Sequence, residues 1–87
     1  MDRMISCDKG NYYIENELVI SDTSFFIARC EKSAQPFMVG ERQSSAYMTN
    51  YEDLAVTEDY VSALEELTRR ITNAIKKMKL QQSTVRT

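Results

Sequence analysis

Histidine is missing from these 87 residues, which removes most of the chemistry that side chains run near neutral pH. Without it no Ser-His-Asp or Cys-His nucleophile can be assembled, and no histidine-ligated metal site. Cys7 and Cys30 remain as thiols, but an activating cation or helix terminus is visible beside neither. Two cysteines alone also make a poor zinc set. The two glycines, Gly10 and Gly40, lie far apart in the chain, so no glycine-rich phosphate cradle forms. No catalytic residue, cofactor or metal is therefore expected.

Carboxylates are plentiful, and each close pair has a cheaper explanation than acid–base catalysis. Glu52-Asp53 and Glu58-Asp59 sit where a helix start favours negative charge. Glu65 and Glu66 precede Arg69 and Arg70 by four residues, the favourable order for ion pairs along a helix. The order of the charges is more informative. Between Gln43 and Thr68 every charge is negative: Glu52, Asp53, Glu58, Asp59, Glu65 and Glu66. After Glu66 every charge is positive: Arg69, Arg70, Lys76, Lys77, Lys79 and Arg86. Compensation of the helix macrodipole accounts for this order. The functional alternative is an acidic face for a protein partner, with Tyr12 and Tyr60 as aromatic contacts. In that alternative Arg69, Arg70, Lys76 and Lys77 could also touch phosphates. The net charge of −2 argues against nucleic acid as the main partner.

The elements that must carry these residues follow from periodicity. Short runs at Met4–Cys7, Asn11–Glu15, Leu18–Ile20, Ser24–Cys30, Phe37–Val39 and Ala46–Thr49 read as strands, with Leu18–Ile20 a separate strand or a continuation. The connections are too short for parallel crossovers, so the strands predict an antiparallel meander of four to five members. From Thr49 the period changes. Thr49-Asn50-Tyr51-Glu52 matches a capping box, and positions 54, 57, 61, 64, 68, 71, 75 and 78 step by three and four. This predicts one long amphipathic helix from Tyr51 to Leu80, with its weakest point near Thr57. The fold class is α+β, one domain over residues 1–80, with 81–87 as a flexible tail. A helix of that length would be ~45 Å long against strands of ~17–20 Å, so Ile71, Ile75 and Met78 would project beyond the sheet. A fold-back of the helix near Thr57 or Thr68, or a second copy of the chain or another protein, would cover them.

The layout of Phe37-Met38-Val39, Ala46-Tyr47-Met48 and then Tyr51-Glu52-Asp53-Leu54-Ala55 opening a charged helix resembles small accessory proteins of phages and mobile elements, anti-CRISPR proteins among them. The resemblance spans most of the chain and implies a non-enzymatic inhibitor that occupies a groove on a nuclease complex. It carries no functional residue across. The leading expectation is thus a protein-binding module, with a homodimer through Ile71, Ile75 and Met78 as the alternative. No run of apolar residues is long enough to span a bilayer and the N-terminus lacks a signal-peptide core, so no membrane partner and a cytoplasmic location are expected.

Overall fold

A computed structural model describes residues 3–8, 10–45 and 47–85, with side chains through residue 81. Five strands precede one helix: β1 (Met4–Cys7), β2 (Gly10–Ile20), β3 (Thr23–Arg29), β4 (Phe37–Ser44), β5 (Thr49–Thr57) and α1 (Tyr60–Val85). The strands pair antiparallel in chain order, β1-β2-β3-β4-β5. The meander is as expected from the short connections. The runs Asn11–Glu15 and Leu18–Ile20 form one strand, continued through a bulge between Ile14 and Asn16.

The last strand departs from the sequence reading. Residues 49–57 form β5, not the opening turns of a helix, so the capping box at Thr49–Glu52 is unused. Residues 40–44, expected to connect the runs Phe37–Val39 and Ala46–Thr49, are instead the far end of β4, and of residues 47–49 only Thr49 lies in a strand. Gly40 stands opposite two residues of β5, Asp53 and Leu54, where the register shifts. Asp53 takes φ 51°, the left-handed conformation at which a bulge bends a strand. Gly40 is required there by packing: a Cβ would meet Leu54 Cδ2 and come within 2.7 Å of Phe26 Cζ. Helix α1 then runs unbroken for 26 residues, about 39 Å at 1.5 Å per residue. Residues 81–85, expected as tail, are helical; 86 and 87 lie outside the described residues.

The sheet has two covered faces, which is why β3 is apolar on both sides and buried from Ser24 to Ala28. One face gathers Ile5, Tyr12, Ile14, Phe26, Ala28 and Met38, with Cys7, Cys30, Tyr51 and Val56 packed against them. Among the described residues no helix lies on it. The gathered side chains, Ile5 of edge strand β1 among them, are at most 6 % exposed, which requires the sheet to curl over this face. The β3–β4 loop seals one end, where the Tyr12 hydroxyl donates to the Gln35 carbonyl at 2.8 Å and lies 3.1 Å from Ser33 Oγ. The other end holds Glu17, which accepts from Ser24 Oγ and from Arg42 Nε at 2.7 Å, with Arg3 3.5 Å away. Burial alone would raise the Glu17 pKa, but the Ser24 and Arg42 hydrogen bonds outweigh it and hold the carboxyl below its ordinary range. Cys7 and Cys30 are free thiols. The outer, convex face carries α1.

Candidate docking surface

Helix α1 starts where Asp59 caps it. The Asp59 carboxylate accepts from the Ser62 backbone N–H at 2.7 Å and from Ser62 Oγ at 3.1 Å, while Thr57 Oγ1 donates to the Asp59 carbonyl at 3.0 Å. The side of the helix that meets the sheet is narrow. Ala63 is fully buried against Ile27 and Val39, with Phe37 and Leu67 packed beside them. Tyr60 adds a tilted ring contact to Phe37 at 5.5 Å and accepts a 3.1 Å hydrogen bond from Asn16 of β2. Small Ala63 lets the helix approach closely; a larger residue would lift it off.

Farther along, an ion-pair chain replaces apolar contact. Arg70, whose side chain is 10 % exposed, holds Glu66 at 2.7 Å and Glu41 of β4 at 3.4 Å. Arg69 bonds Glu66 at 2.5 Å and 3.1 Å. Hydrogen bonds from Arg69 and then Arg70 pull the Glu66 carboxyl from its ordinary 4.5 down to about 2. Because the folded value lies below the unfolded one, this carboxylate adds stability above about 4.5 and loses it as pH falls toward about 2. The urea midpoint of the wild type is expected to drop through that window by more than that of Glu66→Gln. Parallel curves for the two proteins would show that Glu66 contributes nothing there.

The apolar stripe expected from the sequence is real from residue 61 onward, but it is not the side that the sheet covers. Val61, Leu64, Ile75 and Met78 are exposed, Val61 by 65 % and Ile75 by 42 %, and Ile71 is half-buried. The sheet takes the side at Ala63, Leu67 and Arg70, and the stripe lies beside it. The two ends of the stripe meet β2. At its start Tyr60 reaches Asn16, and near its end Met78 lines the same cleft as Ile20 and Phe25. Alternate residues of a strand share a face, so Leu18 and Ile20 follow Asn16 on the helix side of β2. Leu18 is 47 % exposed. Leu64, Ile71, Ile75 and Met78 on α1 and Leu18 with Ile20 on β2 thus border one ledge on the helix side of the sheet. The cleft at its far end has a volume of about 530 Å³ and also admits Lys77 and Asn73.

The other expected site residues are scattered. Tyr12 is fully buried and belongs to the inner core; its neighbour Tyr13 is the one that faces outward. Tyr60 is partly exposed at the start of the ledge. Glu58, Asp59 and Glu65 surround the first turns of α1, exposed and, among the described residues, without a cationic partner. Glu52 and Asp53 are not with them: they lie on β5, and Asp53 lines the cleft at the basic end of the helix. Glu66 is committed to Arg69 and Arg70. Of the cations, Arg70 is tied into its ion pairs, whereas Lys76 and Lys77 are exposed. Leu18 and Ile20 were not singled out from sequence. Their three-residue run offers no alternation, and only the bulge at Glu15 assigns them to the outer face.

Among the described residues no helix is long and apolar enough to cross a membrane. No protein-family model matches the chain, and no curated protein or solved structure matches it.

Proposed function

We propose that this protein is a binding module that acts by docking a protein partner on the ledge between α1 and β2, and that it performs no chemistry of its own. The observation that carries this reading is the exposed row Val61, Leu64, Ile75 and Met78 on α1, with Leu18 exposed on the helix side of β2. A contiguous apolar surface on a small domain marks an interaction site, because leaving it in water forfeits about 25 cal/mol for each Å². The sequence supports the non-catalytic part, since it has no histidine to act as a base near neutral pH. A finer reading, an inhibitor seated in a basic groove of a nucleic-acid-handling enzyme as anti-CRISPR proteins are, draws on Glu58, Asp59 and Glu65 around the start of α1. These acids would sit at the rim of the ledge and select a cationic partner.

Affinity capture from the source cells tests both layers. The double variant Leu64→Glu/Ile75→Glu is expected to keep the wild-type far-UV spectrum and lose the partner that the wild type retains. Equal retention of that partner would remove the ledge from consideration. Glu58→Lys/Glu65→Lys is expected to lose the partner if an acidic rim selects it, whichever chain it belongs to; Asp59 is left intact because it caps the helix.

A further inference from the structure

The ledge has a periodicity that says what fits it. Val61, Thr68 and Ile75 alternate with Leu64, Ile71 and Met78 at the a and d spacing of a coiled coil, with Thr68 the one polar member. A sheet-docked helix does not need this strict seam, and here the sheet uses other residues. The charges flanking the seam are ordered: Glu58, Asp59 and Glu65 near its start, Lys76 and Lys79 near its end.

Resting on the docking reading above, we infer that the occupant of the ledge is a second copy of this chain, its α1 laid antiparallel against the first. In that arrangement Val61 of one copy faces Met78 of the other, Leu64 faces Ile75, and Thr68 faces Ile71. The acidic start of each helix then meets the basic end of its partner, with Glu58 beside Lys79 and Glu65 within reach of Lys76 and Lys79. A parallel pair would set acid beside acid and base beside base, and would align two macrodipoles instead of opposing them. The two-fold operation makes one surface serve both copies, so the contact closes as a dimer and does not propagate.

Sedimentation velocity and carbodiimide cross-linking of the full chain test the inference together. The wild type is expected to sediment as a dimer at micromolar concentration, and Ile75→Glu to weaken the association by ~10-fold or more. An equal mixture of protein labelled with light and heavy nitrogen is then cross-linked at zero length and digested. Mixed-isotope peptides joining Glu58 or Glu65 to Lys76 or Lys79 are expected, since an antiparallel seam brings these groups together. A strict monomer overturns the second copy as occupant while leaving capture of another protein by the same ledge intact. A dimer that yields no such mixed links, or one that Ile75→Glu leaves undisturbed, overturns the antiparallel seam.

Discussion

Phe26→Ala is expected to lower the free energy of unfolding by about 3–5 kcal/mol, most of what a domain of this size possesses. Phe26 is fully buried at the centre of the inner cluster. Its ring meets Tyr51 edge-on with centroids 6.1 Å apart and fills the space that Gly40 leaves by having no side chain. It therefore ties β3 to β4 and to edge strand β5 at once. Its removal opens a cavity that the surroundings cannot close, because Gly40 has nothing to move into it. Urea denaturation followed by far-UV circular dichroism measures the loss. A change under about 1 kcal/mol would mean that the curled face is not a packed core.

Ala63→Glu is expected to cost about 3 kcal/mol or more, by a different route. Ala63 is fully buried between α1 and the residues Ile27 and Val39. A carboxylate there must lose its hydration among Ile27, Val39 and Phe37, or else lift the helix from the sheet. The second outcome is recognisable: the Tyr60–Phe37 ring contact and the Arg70–Glu41 ion pair would be lost together. Near-ultraviolet dichroism of the tyrosines and the urea midpoint report on both. An unchanged midpoint would show that the helix is not seated through Ala63.

The sequence was legible where a single period governed a segment. β3 could be read because apolar residues on both sides of Ser24–Cys30 imply two covers, and the structure supplies them as the curled sheet and α1. β5 was hidden by its bulge. Tyr51, Leu54 and Val56 share the inner face, but Asp53 in the left-handed conformation breaks the two-residue alternation between Tyr51 and Leu54. What remains, Leu54 and Thr57 ahead of Val61, imitates helical spacing, and Thr49-Asn50-Tyr51-Glu52 imitates a cap. The orientation of α1 was hidden for another reason. Hydrophobicity marks the stripe through Leu64, Ile71 and Ile75, whereas the side that docks is built from Ala63, Leu67 and an arginine neutralised by Glu66 and Glu41. Periodicity identifies an apolar side; it does not say whether the chain itself covers that side.

The same limit applied to the site. The exposed acids at Glu58, Asp59 and Glu65 were legible as a charge run, but the separation of Glu52 and Asp53 from them follows from β5 being a strand. Tyr12 and Tyr13 were legible as a pair with opposite directions. Which of them is buried depends on the pairing of Tyr12 with Ile5 across β1 and β2.

Two sides of α1 have been given opposite roles, and one comparison separates them: the urea midpoints of Ala63→Glu and Ile75→Glu, each at protein concentrations low enough to keep the chains apart. A carboxylate at 63 should be costly, and one at 75 should shift the unfolding free energy by no more than about 0.5 kcal/mol, because water already reaches that position. If the charge at 75 unfolds the domain as readily as the charge at 63, the row from Leu64 to Met78 is core and offers no surface to a partner.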